Sequence, residues 1–210
     1  MAVSRPPIPE WIKLLSHPGY RNIFDYPIPS CTLWGTESLL GDWSGRYLLV
    51  AKDFYPASYI EEQIERGVSN PYKHDSTAPT NKNLLKTLRH FGQLSQPHDP
   101  GRCDFMYVSA CFLLRTDGRK RGRLPDQESV LRLSAPVLRF TLDHMPGLTT
   151  MVLMGGEARD AARIGGLGDL ASRRGLHICE VSHPSNAMSD AERFAEWEGV
   201  FGPPGGASQS

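Results

Sequence analysis

The sequence has no excess of charge of either sign: 23 Lys and Arg balance 23 Asp and Glu, for a formal net charge of zero. A domain coated with cations is therefore excluded, and any nucleic-acid footprint has to be local. Cysteine is scarce. Cys31, Cys103, Cys111 and Cys179 form no C-x-x-C pair and have no His-x-x-x-His companion, so the spacing that holds zinc or an iron–sulfur cluster is missing. Cys111 and Cys179 fall in apolar runs and read as plain core thiols, a usage that fits a reducing, cytoplasmic compartment. No stretch approaches the roughly 20 apolar residues of a membrane span. The opening MAVSRPPIPEWIKLL carries too many prolines for a signal peptide. There is no internal repeat and no Walker-type or dinucleotide-binding glycine pattern, since the GGLG at 165–168 has no strand before it.

What is present suits one α/β domain. The 210 residues, 40% hydrophobic and 22% charged, can bury about 70% of the surface of the unfolded chain without a disulfide or metal. Residues 1–45 are rich in Pro, Gly and aromatics and predict an irregular extension packed on the domain, with a helix at Pro9–Ser16. The tail 202–210 (GPPGGASQS) predicts disorder. Between them, short apolar runs alternate with helical patterns. Arg46–Ala51, Asp104–Leu114, Thr150–Met154 and His177–Val181 predict strands, the first two of them buried. Helices are expected at Ser58–Arg66, at Asn81–Phe91 capped by Thr80 or Asn81, at Pro125–Met145 with Pro136 as a kink or break, at Glu157–Arg163 and at Ser189–Trp197. Fourfold alternation predicts three α/β/α layers around a central, mainly parallel four-stranded sheet. Ligands of such sheets sit beyond the carboxyl ends of the strands.

Two of those strand ends carry groups with chemical potential. The first runs into AKDFYP, where Asp53 leaves the strand ahead of two aromatics. The fourth runs into SHPSNAMSD, where Pro184 biases His183 toward extended backbone and Ser185 offers a hydroxyl and an N–H. Either residue alone looks like an ordinary turn aspartate or loop histidine. Together, at one edge of one parallel sheet, they can face a single crevice.

VAKDFYP resembles the first signature of the uracil-DNA glycosylase superfamily, where a strand ends in Gly-Gln-Asp-Pro-Tyr. EVSHPSNAMS resembles its second signature, a strand ending in His-Pro-Ser followed by an inserting loop. VLMGGEA resembles its third strand. Order and spacing agree, and the likeness covers roughly Tyr47 to Trp197. The resemblance implies hydrolysis of the bond between a flipped base and its sugar, with Asp53 as the carboxylate beneath the sugar and His183 as the donor to the departing base. It implies that Tyr55 rejects thymine by blocking its 5-methyl group, that Phe54 stacks on the base, and that Lys52 and Ser109 line the base site. Pro184, Ser185 and Asn186 then contact DNA, and Met188 is the wedge that fills the gap left by the base.

The sequence also departs from that pattern. Ser109 stands where many relatives carry an asparagine that reads the Watson–Crick edge of uracil, so weaker discrimination is expected, with xanthine or hypoxanthine as further substrates. Ala51 and Lys52 replace a glycine and a polar amide. The cysteine cluster that holds iron and sulfur in some branches is missing, so no cofactor is expected. Arg115, Arg119, Lys120, Arg121 and Arg123 crowd one loop after the second strand, and Thr80, Asn81 and Lys82 open a helix. Both are expected to hold phosphates, with affinity that falls steeply with salt. The expected protein is a monomeric glycosylase of base-excision repair that leaves an abasic site. Two other readings stay open: a non-catalytic binder of damaged or single-stranded DNA with the same fold, and a nucleoside hydrolase, against which the basic loop speaks.

Overall fold

The computed structural model describes residues 6–26, 41–68, 78–94, 104–119 and 122–203. Its frame is a four-stranded, all-parallel sheet in the order β3-β2-β5-β6, formed by β2 (Tyr47–Ala51), β3 (Phe105–Ser109), β5 (Thr150–Met154) and β6 (His177–Val181). The register sets Ala51 beside Ser109, and Val50 beside Leu153. β2, β3 and β5 are short apolar runs because both faces are covered, whereas the edge strand β6 is largely exposed and buries only Val181. Leu48 and Val50 turn to one face with Met106, Val108, Met151 and Leu153. Leu49 and Ala51 turn to the other with Phe105, Val152, Met154 and Val181.

Helices fill both layers. The face bearing Leu49 receives Leu84, Leu85 and Leu88 of α3 (Pro79–His90) and Trp197 of α7 (Asp190–Phe201). The opposite face receives α2 (Ala57–Glu65), α4 (Gln127–Asp143), α5 (Gly156–Ile164) and α6 (Leu167–Arg173), with Ile60, Val130, Leu138, Ala158 and Leu167 in the packing. The three-layer α/β/α architecture expected from alternation is the one observed.

Several boundaries differ, each for an identifiable reason. β5 and β6 occupy the expected residues, but the strand expected over Asp104–Leu114 ends at Ser109. There the chain folds back on β2: Ala110 N–H donates to Ala51 O at 2.7 Å and Cys111 N–H to Lys52 O at 2.9 Å. Residues 110–114 stay apolar because they are core, yet Leu114–Arg115 forms a separate strand, β4, antiparallel to β1 (Tyr20–Arg21). Helix α4 runs unbroken through Pro136. Pro136 and Arg132, whose carbonyl loses its partner, both lie on the exposed side, where water can satisfy that oxygen. Helix α3 starts two residues early, with Pro79 at its first position and Ala78 as N-cap, rather than being capped by Thr80 or Asn81. Helix α6 was not expected. The N-terminal helix α1 is only Glu10–Lys13. It is held by buried Asn22, whose Nδ2 donates to the carbonyls of Ile12, Lys13 and Leu15. Cys111 is a buried thiol as expected, but Cys179, on edge strand β6, is only half-buried. Cys31 and Cys103 lie outside the described residues.

Candidate active site

Asp53 is presented by a four-residue passage between the end of β2 and Pro56, the N-cap of α2. The two strand-end hydrogen bonds described above fix the backbone of Ala51 and Lys52 against the chain leaving β3. The Asp53 side chain is 18% exposed, and its Oδ2 lies 3.8 Å from Nη1 of Arg115. Burial pushes its pKa up to about 6. The cations of Lys52 and Arg115 pull it down, and the carboxylates of Glu157 and Asp117 push it up.

His183 comes from β6, two strands away from β2. Glu196 of α7 accepts from the N–H of Ser182 at 2.8 Å and from its hydroxyl at 2.9 Å, which sets the chain direction just before His183. Gly155 makes room for the ring. It has φ +89°, and a Cβ on it would lie 2.9 Å from the Cβ of His183. The imidazole Nδ1 accepts the backbone N–H of Ser185 at 3.2 Å and lies 2.7 Å from its hydroxyl. A backbone N–H can only donate, so Nδ1 carries no proton and the neutral ring presents Nε2–H. Burial lowers the pKa of His183; Glu157 opposes that shift and Lys52 adds to it. The neutral donor is therefore the form at neutral pH.

Both residues line one cavity of about 700 Å³ at the carboxyl end of the sheet. Lys52, Phe54, Tyr55 and Ser109 line it as well, as do Thr80, Asn81, Ser185 and Asn186. Tyr55 stacks on Tyr59 with centroids 4.2 Å apart, and Asn81 Nδ2 donates to its hydroxyl at 3.2 Å. Ser109 is 5% exposed, and its Oγ is buried with no hydrogen-bond partner.

The expected DNA contacts divide. Pro184 is buried, with its carbonyl accepting from Asn83 Nδ2 at 2.7 Å. Met188 is part-buried and lies outside the cavity wall. Its carbonyl accepts from Arg193 Nη2 at 3.3 Å. Lys82 and Arg119 are exposed and also outside the wall. Lys120 and Arg121 lie outside the described residues.

Arg115 requires correction: it is no phosphate contact. Its side chain is 2% exposed and gripped by Asp117 through two hydrogen bonds of 2.7 Å. It also donates to the carbonyls of Gly122 at 3.4 Å and Arg123 at 3.2 Å. Lys52 Nζ donates to the same Gly122 carbonyl. The carbonyls of Gly122 and Arg123 are thus held by Arg115 and the first of them by Lys52 as well, the two cations that act on Asp53.

Sequence reasoning missed four residues here. Glu157, in the first turn of α5, lines the cavity with its carboxylate 3.4 Å from Lys52 Nζ. It follows the Gly-Gly at the end of β5, the one strand end whose polar residues were not weighed. Tyr107 lines the cavity two residues before Ser109, so strand periodicity puts it on the same face. Arg159, two residues beyond Glu157 in α5, also lines the cavity. Asn83, which ties α3 to the His183 loop, left no signal in the sequence.

Comparison of the chain with protein-family models and with curated protein sequences finds no match.

Proposed function

We propose that this protein is a DNA glycosylase that hydrolyses the N-glycosidic bond of uracil, or of another deaminated base, in DNA and leaves an abasic site. The observation that carries the reading is the convergence of Asp53 and His183 on one cavity from separate strands, the first an acid and the second a neutral Nε2–H donor. Cleaving the bond develops positive charge on the sugar and negative charge on the base. A carboxylate under the sugar stabilises the first and orients the attacking water. An imidazole N–H aimed at the base oxygen stabilises the second without first giving up a full positive charge.

The rest of the cavity suits a flipped base. Phe54 and Tyr55 offer aromatic surface, and Tyr55, braced by Tyr59 and Asn81, is a rigid barrier to a 5-methyl group. Ser109 lines the cavity, and a hydroxyl there can take or give one hydrogen bond at the Watson–Crick edge. Rotation lets a hydroxyl serve either role, so it selects less strictly than an oriented amide. This favours several deaminated bases over uracil alone. Among the described residues no helix is long and apolar enough to cross a membrane, and the cytoplasmic, monomeric glycosylase of base-excision repair remains the proposal.

The test uses labelled oligonucleotides carrying uracil, xanthine, hypoxanthine or a thymine mismatch, followed by alkaline cleavage at abasic sites. Strand breakage at uracil or another deaminated base that vanishes in Asp53→Asn and His183→Ala supports the reading. Tight binding with no breakage would replace it with a damage-binding protein, and release of base from free nucleosides alone with a nucleoside hydrolase.

A further inference from the structure

Arg115 donates four hydrogen bonds, and nothing in the glycosylase mechanism above uses it. A guanidinium that is 2% exposed has to be compensated, because an unpaired buried charge is strongly destabilising. One carboxylate suffices for that, and Asp117 supplies it in the two-point geometry that suits a guanidinium best. The second carboxylate within reach, Asp53 at 3.8 Å, is therefore not needed to hold Arg115 in place. The dependence runs the other way. Asp53 accepts no hydrogen bond from the guanidinium at that distance, so it keeps its oxygens for a substrate while lying in the field of a cation whose position is fixed.

We propose that Arg115, seated by Asp117, is the positioning residue of Asp53: it turns Oδ2 toward itself, leaves Oδ1 to the substrate side, and supplies the counter-charge for the anion in a water-poor site. The inference rests on Asp53 being the working carboxylate of the proposed reaction. The whole charged environment of Asp53 enters the argument. Lys52 and Arg115 are its cations, Glu157 and Asp117 its anions, and the neutral Tyr20, Tyr107 and Cys111 feel its charge. Lys52 is already paired with Glu157 at 3.4 Å. Arg115 is in turn partly neutralised by Asp117, so the two residues should act on Asp53 in opposite senses.

That opposition makes the inference testable by a sign. In full-length protein, the acid limb of base release and the ¹³C shift of the Asp53 carboxyl, assigned by its loss in Asp53→Asn, are followed against pH. Arg115→Met should move both upward by about one pH unit or more, as for any carboxylate that loses a cation within about 4–6 Å. Arg115→Lys should fall between Arg115→Met and the unaltered protein. Asp117→Asn removes the negative charge and one of the two acceptors that Arg115 uses, leaving the cation less neutralised, so it should move both downward. An arginine that only braces the fold would lower activity or melting temperature with the limb in place. An unmoved limb and carboxyl titration in Arg115→Lys and Asp117→Asn, or movement of both variants in the same direction, overturns the proposal. Should Arg115→Met fail to fold, those two variants decide alone. If no oligonucleotide yields base, the glycosylase reading fails, and the carboxyl titration still decides whether Arg115 governs Asp53.

Discussion

Asp53 and His183 leave the same edge of the sheet, yet the protein holds them by different means. The Asp53 passage is fixed by main chain and core: strand-end hydrogen bonds tie it to the chain leaving β3, and Arg115 lies buried beside its carboxylate. The His183 loop is fixed by side chains reaching in from helices. Glu196 holds Ser182, Asn83 holds the carbonyl of Pro184, and Arg193 holds that of Met188. Ser185, Asn186 and Ala187 meanwhile remain exposed. The first arrangement suits a charge that must not move, since a carboxylate in a dry site is expensive to misplace. The second suits a loop that meets a large ligand and has to settle against it.

The largest effects should fall on chemistry and should differ between the two sides. Asp53→Asn should lower base release by about 10²–10⁴, the range for a positioned acid–base group. His183→Ala should lower it by about 10²–10³, the range for one donor to a developing anion. Single-turnover rates on a uracil oligonucleotide measure both. A double variant that loses no more than the worse single variant would mean that the two groups act as one unit. A negligible loss in Asp53→Asn would remove the carboxylate from the reaction.

Gly155 connects the two sides, because it lies at the end of β5, between the strands that deliver them, and its missing Cβ is the space that His183 occupies. Gly155→Ala should displace the imidazole and force a left-handed backbone on alanine, costing about 1–3 kcal/mol in thermal unfolding. Base release should fall nearly as far as in His183→Ala. Unchanged activity would show that the ring tolerates another seat.

Much of this plan was legible in the sequence, and the failures are as informative. β5 was readable because a strand covered on both faces writes itself as a short apolar run; β6 lies at the sheet edge, largely exposed, and matched its expected residues without that cover. The same rule misled at 110–113, where an apolar run is core without being strand, since burial alone does not fix the hydrogen-bonding partner. The acid and the histidine were readable because strand ends in this architecture point to one crevice. The role of Arg115 was not. A basic, glycine-flanked segment reads as solvent-facing, and only the fold reveals that Asp117, two residues on, turns that arginine inward. Glu157 was read only as the start of a helix after the third-strand segment VLMGGEA, and its carboxylate was not weighed.

Stability should separate the two sides by sign. Burial raises the Asp53 carboxyl from 3.8 to about 6, so the folded state holds its proton more tightly than the unfolded chain does. The associated stability is fully present below about pH 4 and is lost as pH rises through about 6. Asp53→Asn removes that penalty and should stabilise the protein at pH 7.5 by up to about 3 kcal/mol, with the gain vanishing near pH 3.5. His183 has the opposite linkage: its lowered pKa favours the neutral ring, so its contribution is lost as pH falls. Melting temperatures across this range test the pair, and an Asp53→Asn gain over the parent protein no larger at pH 7.5 than at pH 3.5 would mean that the carboxylate is not strained by its site.

The smallest effect should come from the tethers of the His183 loop. Asn83→Ala removes one side-chain hydrogen bond to Pro184 O and should cost about 1 kcal/mol of stability. Its consequence for the comparison is larger than its size. If the loop settles on DNA by leaving its tethers, the variant should exchange its loop amides with solvent faster and bind duplex DNA no more weakly than the parent protein. If the tethers instead hold the imidazole in its working place, KM should stay near the parent value while single-turnover base release drops by several-fold. Amide exchange at Ser185–Met188, measured beside those rates, distinguishes a loop built to yield from one built to stay.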